Sequence, residues 1–286
     1  MVILTSPSEL RAYLKQSRRG EIGLVPTMGA VHAGHTSLVV ASKASNEVTV
    51  CSIYVNPTQF NNVSDLSSYP RSLEADCQLL ERHGCDAVFI PDNETMYPEP
   101  PRTRLHFGEL ETVMEGRFRP GHFNGVGLVV SKLFHLVQPD RAYFGQKDLQ
   151  QFLIVQRLVT DLGFGLQLVR CPSVREPDGL AMSSRNARLT SAQRQLAPAL
   201  YQALNQAREM LAAHQNVAQT KQVILDHFSG LPGIRLEYFE IVDGDDLQEV
   251  RDLQNHRHVA LCIAAYLGEV RLIDNLILTN LPDQMA

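Results

Sequence analysis

Short apolar runs that hardly alternate with polar residues, each leading toward a helix-length segment, recur over the first 170 or so positions, and they constrain the fold more than any other feature. The runs are 22–25, 48–55, 87–90, 141–144 and 166–169, with helices expected over about 7–19 and starting near 34, 73 and 149. A strand buried on both faces has no polar side to show, so this texture predicts a parallel sheet covered by helices: an α/β chain of doubly wound type. Ser6, Pro7 and Glu9 occupy the N-cap, first-turn and capping-box places of the first helix, and Gly20 offers it a stop. Residues 123–137, with Leu128, Val129, Leu133, Phe134, Leu136 and Val137, predict one apolar helix before the break at Gln138, Pro139 and Asp140.

Beyond about residue 175 the pattern changes. A Pro177-Asp178-Gly179 turn precedes a long helical region over 191 to about 213 and a second helix near 217–228. Strand-like stretches follow at 235–242 and 258–267, the latter able to turn at Gly268 and Glu269 into 270–273. Two domains are therefore expected, 1–175 and a smaller α+β domain at 176–286.

Composition narrows the function. At 286 residues, 44% hydrophobic and 20% charged, the chain can bury a sizeable core without metals or disulfides. Its 26 Lys and Arg against 31 Asp and Glu leave a net charge of -5, so no overall field attracts nucleic acid or an anionic membrane, and any phosphate binding must be local. Five cysteines without a C-x-x-C pair argue against a disulfide framework or zinc ribbon and favour a reducing compartment. The longest apolar run, 259–267, is far below the roughly 20 residues of a bilayer span, so neither a signal peptide nor a membrane segment is expected.

The most informative segment is 25–35, where a strand end passes through Met28, Gly29, Ala30 and Val31 into His32, Ala33, Gly34 and His35 at a helix start. Free backbone N–H groups and the helix dipole favour an anion there, and two imidazoles three residues apart add donors. H-x-x-H alone would arise by chance about 0.35 times in such a chain, and about 0.02 times with glycine before the second histidine. The competing reading is a pair of surface histidines. A second segment, Gly145, Gln146, Lys147 and Asp148, also follows a strand and opens a helix. Lys147 offers a point charge for phosphate and Asp148 an acceptor for ribose hydroxyls, although Asp148 would equally serve as an N-cap. In a third, Met182, Ser183, Ser184 and Arg185 place two hydroxyls and a guanidinium in sequence, suited to a triphosphate or to an ordinary capped turn with a solvated Arg. Gln59, after Asn56 and Pro57, brings a neutral amide to the end of the second strand.

Taken together these segments resemble the pantoate:β-alanine ligase family. Further likenesses are Ser52 to Pro57, Tyr69-Pro70-Arg71, Arg119 to Phe123, Ser131 to Phe134, Asp178 to Asn186, and Arg271-Leu272-Ile273-Asp274-Asn275. The resemblance implies a Rossmann-like ATP- and pantoate-binding domain of the HIGH-motif nucleotidylyltransferase kind, an α+β C-terminal lid domain, and a cytoplasmic homodimer. It implies ATP contacts at Met28 to His35, Gly145 to Asp148, Val174 and Met182 to Arg185, with His35 as proton donor and His32, Lys147 and Arg185 beside it in catalysis. Gln59 and Gln151 would hold pantoate, Gln59 also bordering β-alanine. Pantoate, β-alanine and ATP would be the substrates, with Mg²⁺ on the ATP phosphates; the sequence offers no dedicated metal cage, and Asp76 is a candidate for an outer contact only. Gln146 stands where many members have Glu, and Thr36 where Leu is common. Two other classes share parts of this pattern: an adenylyltransferase acting on a phosphorylated acceptor, and a silent nucleotide-binding protein on the same fold.

Overall fold

The computed structural model describes residues 1–18, 20–61, 63–254 and 256–279. The chain divides into two compact units, one of Met1–Gln146 with Gln150–Pro172, the other of Lys147–Leu149 with the chain from Ser173 onward.

The first unit is a six-stranded, wholly parallel sheet: β1 (Val2–Leu4), β2 (Ile22–Thr27), β3 (Val48–Ile53), β4 (Ala87–Phe89), β5 (Arg141–Gly145) and β6 (Gln167–Cys171), in the order β1-β4-β3-β2-β5-β6. β3 is buried along its whole length, as its unbroken apolar texture requires. The chain winds outward from β2 to β3 in one direction and from β5 to β6 in the other, so the loops after β2 and β5 leave adjacent strands at a topological switch point, where open α/β sheets bind ligands.

Helices Pro7–Ser17, Ala33–Ser45, Leu73–Arg82, His122–Val137 and Leu149–Leu162 account for the expected helical stretches. The capping box of the first is present, Ser6 Oγ accepting from Glu9 N and the Glu9 carboxylate from Ser6 N. Its end differs from expectation: the helix stops at Ser17 with Arg18 as C-cap, before Gly20 is reached. Arg18 instead donates to Asp140, whose carboxylate also accepts from Ile22 N at 2.7 Å, fixing the entry to β2. β1 lies outside the expected pattern. Three residues carry no periodicity, and Val2 and Ile3 lie exposed on an edge while Leu4 is buried.

The second unit holds an antiparallel sheet of β7 (Arg235–Asp243), β8 (His258–Leu267) and β9 (Val270–Thr279), in that order. β9 extends well past 273, in register with β8 throughout. The long helical region expected over 191–213 is two helices, Ser191–Leu196 and Ala199–Ala212, because Pro198 has no N–H to continue the ladder. Leu200, Leu204 and Leu211 pack with Ile224 and Phe228 of helix Val217–Ser229 and with Leu261 and Ile263 of β8.

Candidate active site

Gly29 and Ala30 leave β2 in the left-handed region, at φ 81° and 49°. A Cβ on Gly29 would lie 3.0 Å from an Asp76 carboxylate oxygen and 3.1 Å from Ile53, so the positive φ favours glycine and a side chain would also crowd both neighbours. Asp76, on helix Leu73–Arg82 and 3% exposed, ties the turn down: Oδ2 accepts from Ala30 N at 2.8 Å, and Oδ1 from Val31 N and Ser72 Oγ at 2.9 Å each. Its oxygens are engaged by the loop. The signal that could have found this role is absent from local sequence, because the partners are backbone amides some 45 residues away.

The turn delivers His32 as N-cap of helix Ala33–Ser45, with Gly34 and His35 in the first turn. His32 Nδ1 accepts from Gly34 N at 3.1 Å, and His35 Nδ1 accepts from His32 N at 3.4 Å. A ring nitrogen that accepts an N–H carries no proton, so each neutral imidazole holds its hydrogen on Nε2. The rings lie 4.1 Å apart, and no acidic residue occupies the first turn to answer the helix dipole. The arrangement is suited to an external anion.

Gln59 is buried in the short turn Pro57–Gln59 after β3. Asn56 fixes its orientation: Asn56 Nδ2 donates to the carbonyl of Gly125 and to Gln59 Oε1, both at 3.1 Å, while Asn56 Oδ1 accepts from Thr58 and from the Tyr97 hydroxyl. With Oε1 turned to Asn56, Gln59 Nε2 faces the Met28 thioether at 3.0 Å, a weak acceptor for an amide donor. The Gln59 carbonyl accepts from His122 Nδ1 at 2.8 Å, and His122 Nε2 faces the Arg119 guanidinium at 3.2 Å. Because a carbonyl only accepts and a guanidinium only donates, His122 is the Nδ1–H tautomer. Asn56, Arg119 and His122 belong to segments quoted for their likeness, yet sequence reasoning assigns them no role.

Gly145 ends β5, where a Cβ would meet no atom within 4 Å, so packing does not explain glycine there. Gln151 is half-buried in the first turn of helix Leu149–Leu162. Its neighbour Gln150 is buried, donating to the carbonyls of Leu110 and Val113 and accepting from Glu115 N, and so shapes the preceding loop.

In the second unit Lys147 lies in the turn Gln146–Asp148, its ammonium 3.2 Å from the Asp148 carboxylate. Val174 and Met182, separate expectations, are joined by a hydrogen bond from Met182 N to the Val174 carbonyl at 2.9 Å. Ser183 caps the turn Ser184–Arg188, its hydroxyl accepting from Arg185 N at 3.2 Å, so the capped-turn reading holds for that side chain. Among the described residues no group of three or more His, Cys, Asp or Glu could hold a metal. Among them, too, no helix is long and apolar enough to cross a membrane.

A doubly wound sheet with two histidines at its switch-point loop, beside a buried neutral amide, belongs to a class of architecture that serves nucleotide-using enzymes. The model of the family described as pantoate-beta-alanine ligase matches residues 2–277, and the chain belongs to that family. Pantothenate synthetase of Phocaeicola vulgatus is 53% identical over 94% of this chain and 95% of its own, and that of Bacteroides fragilis 51% identical over 96% and 98%. The crystal structure of pantothenate synthetase from Thermus thermophilus superposes with a TM-score of 0.92 at 44% identity, over 96% of this chain and 99% of that one. Pantoate-beta-alanine ligase from Francisella tularensis, complexed with beta-gamma ATP and beta-alanine, gives 0.81 at 35% identity over 97% of each. The chain is thus an ATP-using ligase that makes pantothenate from pantoate and β-alanine.

Proposed function

We propose that the reaction runs through a pantoyl adenylate. The pantoate carboxylate attacks the α-phosphorus of ATP and pyrophosphate leaves; the β-alanine amine then attacks the acyl carbon, and AMP leaves. In this reading His32 and His35, both with Nε2 protonated, donate to phosphate oxygens as charge develops, with His35 the proton donor. Met28 to His35, Gly145 to Asp148, Val174 and Met182 to Arg185 bind ATP, Lys147 and Arg185 adding full positive charge, because phosphoryl transfer depends chiefly on positioning and electrostatics. Mg²⁺ arrives on the ATP phosphates and neutralises part of their charge. We further propose a homodimer in the cytoplasm, a compartment in keeping with five free thiols.

The observation that carries the reading is Gln59, whose amide nitrogen points to the Met28 thioether at the start of the histidine loop. Among the described residues this buried N–H meets only sulfur and so is well prepared for a carboxylate, and a neutral amide orients that carboxylate without the ground-state stabilisation a full positive charge would impose. Gln151 supplies the second amide. Each Gln→Ala substitution is expected to cost about 1.5 to 3 kcal/mol, or about 10- to 150-fold in kcat/KM for pantoate. Gln151→Glu is expected to be worse, since it sets an anion against an anion. Steady-state kinetics with pantoate varied, alongside ATP affinity by calorimetry, decide the matter. Wild-type efficiency in both alanine variants, or a defect confined to ATP affinity, would overturn the assignment.

A further inference from the structure

Strand β9 buries two polar side chains in succession, Asp274 at 4% and Asn275 at 2% exposure. Successive strand residues face opposite sides of a sheet, so both faces are closed here, and burying a carboxylate and an amide is costly unless each is fully bonded. Arg175 answers the carboxylate with a two-pronged pair, at 2.5 and 3.0 Å, and its two terminal nitrogens donate further to the carbonyls of Gly179 and Asn275. Its guanidinium also stacks 3.9 Å from the centre of the Tyr201 ring. Asp274 Oδ1 accepts from Asn275 N at 2.7 Å. Asn275 Nδ2, so fixed at its backbone, donates to the carbonyl of Lys147 at 2.9 Å across 128 positions of sequence. All these residues belong to the second unit.

We propose that Asn275, held by the Arg175–Asp274 pair, is a positioning residue for Lys147. The inference rests on the reading of Lys147 as a phosphate ligand. The turn Gln146–Asp148 is only three residues long, and a lysine is a point charge on a flexible four-carbon stem. Anchoring its carbonyl fixes where the stem begins, which narrows the ammonium's range before ATP arrives. Burial holds the Asp274 carboxyl above its ordinary range, and the paired Arg175 opposes that shift. The anchor gives the Arg-Leu-Ile-Asp-Asn segment of β9 a task in the reaction, whereas its fold alone would need no amide aimed at a turn far away in the chain.

The test is a double-mutant cycle with Lys147→Ala, read as the rate of pantoate-dependent exchange of labelled pyrophosphate into Mg-ATP and as thermal unfolding. Asn275→Ala is expected to slow exchange about 10- to 100-fold, the scale of a misplacement near 1 Å, while KM for β-alanine, which reacts later, stays within about twofold. In a Lys147→Ala background the same change should add almost nothing. Asn275→Leu, close in size and unable to donate but adding no charge, should match the alanine variant and carries the cycle if that variant does not fold. Full losses multiplying in the double variant would mean that Asn275 acts on the fold and not through Lys147, overturning the proposal. Wild-type exchange in the Asn275 variants with a slow Lys147→Ala enzyme would overturn it as well. Wild-type exchange in Lys147→Ala would remove instead the reading of Lys147 on which it rests.

Discussion

Ala30 occupies the left-handed region at φ 49°, a conformation that costs a non-glycine residue of order 1 kcal/mol, and the Asp76 carboxylate holds it there through the amides of Ala30 itself and Val31. Asp76→Ala leaves those N–H groups without their acceptor, at about 1 to 3 kcal/mol for each that stays buried; urea unfolding should show that loss, together with slower adenylate formation from a loosened loop. The two histidines divide their duties differently. His35→Ala is expected to cost at least about 100-fold in adenylate formation with only a small loss of stability, since the bond its Nδ1 accepts from His32 N is long at 3.4 Å. His32 is also the N-cap, so His32→Ala should lose about 1 kcal/mol of stability in addition to rate. His32→Asn, which restores a cap acceptor, should recover the stability and leave the rate low. Equal stability in wild type and both His32 variants would deny His32 its capping role. The two histidines could be singled out as candidates in sequence because an imidazole at a helix start offers the donor an anion needs. Asp76 was visible only as a carboxylate assigned an outer metal contact, because a local reading cannot see which backbone amides a side chain will meet.

At the scale of elements, Cys85 leads into the short strand β4, buried between the carbonyls of Thr49 and Ala87. Burial pushes its thiol from an ordinary value near 9.0 up to about 11. The folded state keeps the proton that the unfolded chain releases, so the contribution is whole below pH 9 and is lost as pH rises toward 11, by up to about 2 to 3 kcal/mol. Urea unfolding at pH 8 and pH 10.5 should show a smaller alkaline loss for Cys85→Ala than for wild type; an unchanged pH dependence would contradict this. The long parallel strands and the helix His122–Val137 could be read directly, since burial on all sides leaves an apolar texture. β1 could not, being three residues on an edge; the break before Ala199 was signalled by Pro198, a signal outweighed by the helical pattern on both sides. Gln150 and Gln151 look alike in sequence. Only their places on the helix separate the one spent on the carbonyls of Leu110 and Val113 from the one proposed to meet substrate.

For the whole molecule, a chain with net charge -5 must bind two anionic substrates, pantoate and ATP, against its own overall field. In the proposed reading local devices answer that: a helix start without acidic residues, two Nε2–H donors, a buried amide and a lysine whose backbone carbonyl is anchored. Such an enzyme can complete the first half of its reaction without the second substrate, and this is the central claim. With enzyme, Mg-ATP, pantoate and labelled pyrophosphate, label should enter ATP at a rate comparable to turnover while β-alanine is absent, and should not enter when pantoate is withheld. Exchange that appears only when β-alanine is added would contradict an adenylate formed from pantoate alone.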